Sequence, residues 1–214
     1  MDAEKKVEIL KQFDLFKNLE EEAIDAVAAV AKEKNFGPKE TIIQEGEAGT
    51  DIYLIYEGSV RIYRLSEDGK EATLSINGHG DIIGEMAIFD HGVRTAFVEA
   101  LETTKTLCLT ETDFKNLMVS HGQVAIELLN ILSGRLLENG KLIEKLETKS
   151  LKDRVKSVLL TLDSYMPKIK ITQEQLASLV GATRPRVSES LGSLKKEGFL
   201  EMKEHELHVL KGTE

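Results

Sequence analysis

One long helical pattern in the middle of the chain constrains everything around it. Between Gln123 and Glu147, Leu128, Leu132, Arg135, Asn139, Leu142 and Leu146 recur at spacings of 4, 3, 4, 3 and 4, a heptad seam. A second stripe, Val124, Ile131 and Ile143, is apolar as well. A helix on the surface of its own domain needs only one apolar face. Two faces imply two partners. The expectation is that the stripe of Val124 and Ile131 packs on the chain's own body. The Leu128–Leu146 seam then meets a second copy in a parallel homodimer.

Upstream of this helix the hydrophobic period is different. Residues 4–12 and 20–34 read as helices, the second from Leu19, Ala23, Ile24, Val27 and Val30 at helical spacing. Gly37-Pro38 ends it. From 40 to 110 the period becomes 2. "DIYLIYEGSVRIYRL" alternates around Gly58, "SEDGK" supplies an Asp-Gly turn, and "EATLSI" alternates again, which predicts a hairpin. Nine of the 16 glycines fall between 37 and 92, and short strands so punctuated suggest a small rolled antiparallel sheet. Helical pattern returns at Glu111 and breaks near His121-Gly122. After the long helix, "KSLKDR" starts a new one, with Ser150 as N-cap and Asp153 three residues on. The junction at 147–150 is the expected hinge.

The tail carries its own motif, "ITQEQLASLVGATRPRVSESLGSLKKEGFLE". Thr172 caps a short helix whose Leu176, Ala177 and Val180 turn inward. "GAT" makes a tight turn and Thr183 caps the next helix. Pro185 fits in its first turn, where a missing N–H is no loss. Val187, Leu191 and Leu194 face the core, so Pro185, Glu189, Gly192 and Lys196 face out, flanked by Arg184, Arg186 and Ser188. This is a helix-turn-helix, and "GFLEMKEHELHVL" reads as a two-stranded wing. Charge supports the division. From Leu151 onward 11 Lys and Arg meet 9 Asp and Glu, a net of +2, which leaves −11 of the total −9 on residues 1–150. Such asymmetry points to a polyanion partner for the tail.

Several classes are excluded or disfavoured. The single Cys108 rules out an internal disulfide and a four-cysteine iron–sulfur cluster. It alternates with apolar neighbours in "TKTLCLT", as a buried strand residue would. Asp2, Glu4, Lys5, Lys6 and Glu8 do not suit a leader, and no apolar run approaches the ~20 residues of a membrane helix, so a cytoplasmic protein without membrane contact is expected. The histidines at 79, 91, 121, 205 and 208 lack metal-ligand spacing. No nucleophile–base pair points to an enzyme. One stretch asks for a ligand: in "DIIGEMAIFDHGVRTAFVEA", Glu85 and Arg94 stand as isolated charges among Ile, Met, Phe and Val.

In order and motif the chain resembles the CRP/FNR family of bacterial transcription regulators. The resemblance rests on "EGEAGTDIYLIYEGSVRIYRLSEDGKE", "GHGDIIGEMAIFDHGVRTAFVEA" and "TQEQLASLVGATRPRVSESLGSLKKEGFL", and it covers nearly all of residues 1–210. It implies an α+β fold: an effector-binding β-roll of the cyclic-nucleotide-binding jelly-roll type with N-terminal helices over 1–120, a dimerisation helix and hinge over 121–149, and a winged helix-turn-helix over 150–214. In nucleotide-binding members, the stretch matching 84–95 is the phosphate-binding cassette. Gly84 would admit the ligand closely and Glu85 would accept from the ribose 2′-hydroxyl. The turn at Met86 and Ala87 would present N–H groups. Arg94 would pair with the phosphate and Thr95 would donate its hydroxyl. Arg135 matches a position that engages the cassette.

Asn139 and Gly140 stand where the best-known cyclic-AMP-responsive member offers Thr and Ser. Asn139 therefore either meets a purine edge or pairs with its own copy at the seam. The effector implied is a cyclic nucleotide, cyclic AMP first. Alternatives are a non-nucleotide signal (haem or gas, with His79 or His91 as haem ligand, or a metabolite), a regulator without ligand in which Glu85 and Arg94 pair with each other, or a nucleotide-binding module of another class. The resemblance also implies a palindromic double-stranded DNA operator and RNA polymerase as partners. Thr172, Thr183, Arg184, Pro185, Arg186, Ser188, Glu189 and Lys196 are the candidate DNA contacts. Pro185 and Glu189 replace the Glu and Arg that the best-known members use on bases, whereas Arg184 matches.

Overall fold

A computed structural model of the chain describes residues 1–67, 69–89, 92–165, 171–203 and 206–210. Two helices lead, α1 (Ala3–Leu10) and α2 (Glu21–Val30). The roll follows as β1 (Lys32–Phe36), β2 (Thr41–Ile43), β3 (Ile52–Glu57), β4 (Val60–Leu65), β5 (Glu71–Asn77), β6 (Ile82–Ile83), the short α3 (Met86–Phe89), β7 (Phe97–Ala100) and β8 (Thr104–Leu109). Its strands form two antiparallel sheets, in the orders β1-β8-β3-β6 and β2-β7-β4-β5. The expected hairpin is β4–β5, closed by a Ser66 N–H to Lys70 carbonyl bond of 2.8 Å.

β3 and β4 lie in different sheets, and the chain crosses between them at Gly58. Only glycine fits there: φ is +86°, and a Cβ would meet the Thr103 carbonyl oxygen at 2.4 Å. Alternating residues of the two sheets, among them Ile55, Val60, Ile83 and Val98, fill the space between. Cys108 is buried in β8, where burial pushes its thiol pKa up.

The helix expected over 20–34 stops earlier. Ala31 turns to ψ 132°, and Lys6 Nζ donates to the orphan carbonyls of Ala28 and Ala31 at 3.2 and 2.7 Å. Residues 32–36 pair instead with β8. The apolar helical repeat ends at Val30, and the alternation beyond it is that of an edge strand.

After α4 (Glu111–Ser120), the long helix α5 runs Gly122–Thr148. Its faces differ from expectation by one residue, about 100° of rotation. Leu128, assigned to the dimer seam, is buried with Val124 against Phe13, Phe16 and Phe114, and Ile131 and Leu132 pack on the same cluster. The exposed apolar side carries Ile126, Leu129, Leu136 and Leu137. Val124, Leu128 and Ile131 are spaced 4 and 3, so they share one stripe, and the chain's own core takes it. The side chains of Asn139, Leu142, Ile143 and Leu146 lie outside the described residues.

The C-terminal unit holds α6 (Leu151–Tyr165), α7 (Gln173–Leu179), α8 (Arg184–Lys196) and the wing β9 (Leu200–Lys203) with β10 (Glu206–Val209). Ser150 caps α6, with the Asp153 N–H on its hydroxyl at 3.2 Å. Thr172 and Gln175 form a reciprocal capping box on α7. Thr183 stands at the N-cap of α8 but makes no capping bond. Val155, Leu159, Leu176, Val187, Leu191, Leu194 and Leu200 close this core.

Gly58→Ala should lower stability by about 3 kcal/mol, since it adds a left-handed side chain and a backbone clash. In urea the midpoint should fall with the slope unchanged. An unshifted midpoint would mean that the crossing between sheets tolerates a side chain.

Candidate functional site

Between β6 and β7, Gly84, Glu85, Met86, Ala87, Arg94, Thr95 and Arg135 line one small cleft of about 80 Å³, floored by Ile43, Ile62 and Val98. Every expected effector residue except Asn139 is thus brought together. Asn139 lies on α5 one turn beyond Arg135, with its side chain outside the described residues. Met86 and Thr95 are exposed at the rim.

Arg94 is the centre of this cleft and is only 7% exposed. Its backbone is fixed by the loop before β3. Arg94 N–H donates to the Glu47 carbonyl at 2.9 Å, Gly46 N–H to the Arg94 carbonyl at 2.9 Å, and Gly49 N–H to Gly92 at 3.0 Å. Its guanidinium donates through Nη1 to the Gly84 carbonyl at 3.0 Å and through Nη2 to the Asp51 carbonyl at 2.9 Å. Among the described residues it meets no carboxylate at ion-pair distance. Burial pulls its pKa below the ordinary arginine value. A guanidinium has five N–H donors, so several remain after two carbonyls. Gly84 permits this approach: at φ +84°, a Cβ would sit 2.8 Å from both Arg94 Nη1 and the Asp51 oxygen.

Glu85 is 3% exposed. Its Oε1 accepts from Arg135 Nη1 at 2.6 Å, and Arg135 Nη2 donates to the Ile82 carbonyl at 2.6 Å. Burial pushes the Glu85 carboxyl above the usual range, and Arg135 opposes that rise. Glu85 and Arg94 therefore do not pair with each other: the carboxylate is taken by α5, and the cation is left to carbonyl dipoles. Sequence reasoning missed the Asp51 and Ile82 carbonyls, because a main-chain acceptor leaves no trace in residue type.

Larger hollows lie elsewhere. One of about 690 Å³ sits beside the wing at Thr172, Arg184 and Met202, and another of about 860 Å³ lies between the roll and α7. Size does not select the site. The small cleft is where a buried cation, in contact with no carboxylate among the described residues, stands beside a buried carboxylate.

On α8, the inward Val187, Leu191 and Leu194 are buried. Thr172, Thr183, Arg184, Pro185, Arg186, Ser188, Glu189 and Lys196 are all exposed. Neither Arg184 nor Arg186 forms an ion pair among the described residues. An exposed helix with two unneutralised arginines at its start suits a polyanion groove. His79, by contrast, is engaged, with Nδ1 2.8 Å from the Tyr56 carbonyl.

Comparison with known proteins decides the family. A cyclic nucleotide-binding domain matches residues 33–121 and a Crp-like helix-turn-helix domain matches residues 153–212. The Cyclic AMP receptor protein of Thermus thermophilus is 31% identical over 195 residues, covering 90% of each chain. The chain belongs to the CRP/FNR family.

The CRP-like cAMP-activated global transcriptional regulator of Mycobacterium tuberculosis is 28% identical over 204 residues, 91% of each chain. The crystal structure of the Thermus thermophilus Catabolite Activator Protein, 30% identical, superposes with a TM-score of 0.56 over 92% of this chain and 94% of that one. The c-di-GMP responsive regulator CLP of Xanthomonas campestris, 21% identical, shares the fold at a TM-score of 0.74, over 91% of this chain and all of that one. The protein is thus a CRP-family transcription regulator with a cyclic nucleotide-binding domain and a DNA-binding helix-turn-helix, and its relatives are regulators rather than enzymes. No described helix is long and apolar enough to cross a membrane.

The Glu85–Arg135 pair has a pH consequence. In Arg135→Met the buried carboxyl loses its cation, so its folded pKa rises further above its unfolded one. The variant then loses stability as pH climbs from the unfolded pKa toward that raised value, and the loss levels off above it. The variant should lie close to wild type near pH 5 and fall about 2 kcal/mol below it by pH 8. Urea unfolding at both pH values measures this. An equal deficit at both would show that Arg135 does not compensate Glu85.

Proposed function

We propose that the protein is a homodimeric, cytoplasmic transcription regulator whose roll binds a cyclic nucleotide, cyclic AMP first, and whose α8 reads a palindromic operator alongside RNA polymerase. The observation that carries the effector reading is Arg94, a nearly buried cation with donors to spare and no carboxylate partner among the described residues. A phosphodiester supplies the missing negative charge, and Thr95 adds a hydroxyl from the rim. The ribose 2′-hydroxyl donates to Glu85 and so competes with Arg135. The turn of Met86 and Ala87 lends N–H groups, and Asn139 faces the base. Two of the relatives are named for cyclic AMP, which favours that nucleotide. The division into 1–120, 121–149 and 150–214 belongs to the same proposal, and the two matched domains fall on either side of the long helix.

Binding requires the cleft to open. A nucleotide needs a few hundred Å³, and the cleft has about 80 Å³. Arg135, tied to Glu85, forms part of its wall. That tie also supports a second reading, a regulator that works without ligand, with Arg135 as permanent partner of Glu85.

The exposed face of α5 serves dimerisation in this proposal. Ile126, Leu129, Leu136 and Leu137 are 52, 62, 73 and 68% exposed, more apolar surface than water-facing helix positions usually carry. Parallel packing along α5 sets the two α8 helices for half-sites ~34 Å apart. Arg184, at the start of α8, reaches base edges, and Arg186 reaches phosphate.

Two measurements test these assignments. A charge-assisted hydrogen bond contributes ~1.5–3 kcal/mol, so Arg94→Ala should weaken cyclic AMP binding roughly 10- to 150-fold by calorimetry. Wild-type protein that ignores cyclic AMP would discard that effector, and a tight-binding Arg94→Ala would discard the phosphate role. Leu136→Glu places a charge against its own copy and should cost several kcal/mol of association. Sedimentation should then show monomer at micromolar concentration, and an intact dimer would move the interface off this face.

A further inference from the structure

β5 is the outer strand of its sheet and pairs with β4 on one side only. Its other edge is not bare. Thr73 N–H donates to Ser178 Oγ at 2.6 Å, and the same hydroxyl donates to the Glu71 carbonyl at 3.3 Å. One side chain thus satisfies the donor and the acceptor that a neighbouring strand would have taken. Ser178 belongs to α7, the first helix of the helix-turn-helix in the C-terminal unit. Ile76 of β5 and Leu101 after β7 pack into that unit's apolar core beside Val180.

The strand is held from behind as well. Arg61 on β4 is 3% exposed; its Nη1 binds the Glu71 carboxylate at 2.6 Å and its Nη2 the Glu99 carboxylate of β7 at 3.4 Å. The guanidinium lies 4.1 Å over the Tyr63 ring. β7 begins two residues after Thr95. Contacts therefore run unbroken from the effector cleft through β7, Arg61 and Glu71 to Ser178. The docking uses a face of α7 that leaves Arg186, Ser188, Glu189 and Lys196 exposed.

We infer that Ser178 is a positioning residue that docks the reading unit on the free edge of β5 in the posture that reads DNA, so that the roll sets the angle of α8 through this edge as well as through α5. The inference rests on the proposed DNA and effector roles. Without the docking, each reading unit would swing about the 147–150 junction. Two units that must engage half-sites together lose more from such freedom than one unit on arbitrary sequence.

The test uses the full chain as wild type, Ser178→Ala and Ser178→Thr, the last keeping the hydroxyl. Amide hydrogen exchange reads the contact at Thr73, with the central-strand Val98 amide as control. Binding is measured, with and without cyclic AMP, to a duplex selected with wild-type protein from a randomised pool under the same two conditions, and to random duplex. In Ser178→Ala, Thr73 exchange should accelerate about tenfold with Val98 unchanged, selected-duplex affinity should fall about tenfold, and random-duplex affinity should stay within about twofold. Ser178→Thr should restore both readouts. Unchanged Thr73 exchange in Ser178→Ala overturns the contact. Faster exchange with undiminished selected-duplex affinity overturns the posture. A wild type that selects no duplex in either condition would instead overturn the DNA-binding reading, and the posture with it. Indifference to cyclic AMP would touch only the effector assignment, because both readouts are also taken without it.

Discussion

Two charges buried side by side in an apolar roll set the terms for the rest of the molecule. An ionised group removed from water needs a partner or it loses its charge. Glu85 finds one in Arg135, at 2.6 Å. Among the described residues Arg94 finds only the carbonyl oxygens of Gly84 and Asp51. The inequality is structural in origin. α5 brings a cation to Glu85, and among the described residues no carboxylate comes to ion-pair distance of Arg94. Carbonyl dipoles orient a guanidinium without neutralising it. Among the described residues the roll is therefore built around a positive charge with no carboxylate in contact, an arrangement that an anionic ligand would complete.

That same contact explains why α5 sits as it does. The long helix has apolar residues on more than half its circumference, and a repeat near 3.5 does not by itself say which stripe belongs to which partner. Leu128 reads equally well as seam or as core. The structure resolves the ambiguity through Val124, fully buried one turn earlier, and Arg135, tied to the cassette two turns later. With those fixed, Leu128 has to face the body, and Leu129 and Leu136 have to face away.

Much else was legible because residue type alone decided it. The hairpin closed between Ser66 and Lys70, Ser150 and Thr172 as caps, the inward row of Val187, Leu191 and Leu194, and the gathering of Gly84, Glu85 and Arg94 all follow from what those side chains can do. The illegible parts were decided by main-chain partners or by packing at a distance. Strand β1 exists because β8 offers it an edge, not because "KEKNF" favours one. The partners of Arg94 are carbonyls, which any residue could have supplied. Nothing in residue type marks Ser178 on its short helix, and only the free edge of β5, about a hundred residues earlier, gives its hydroxyl a role.

The competition for Glu85 bears on how such a molecule would switch. On the proposed reading, a ribose hydroxyl can bind Glu85 only by displacing Arg135, and a phosphate at Arg94 draws the cassette inward. Arg135 must then leave the carboxylate or share it. Either outcome changes what holds α5 to its own roll, and α5 also carries the exposed Leu129 and Leu136. A ligand moves an equilibrium only by its different affinity for the two states. Here that difference has a physical origin: the ligand replaces an ion pair the protein makes with itself and neutralises a cation the protein leaves bare. The second effect favours the bound state, the first opposes it, and their balance sets the affinity. A chain with Arg94 but no Arg135 would bind without having to break anything, and α5 would receive no signal. The tie at the wall of the cleft is thus also what would make its opening felt along the helix.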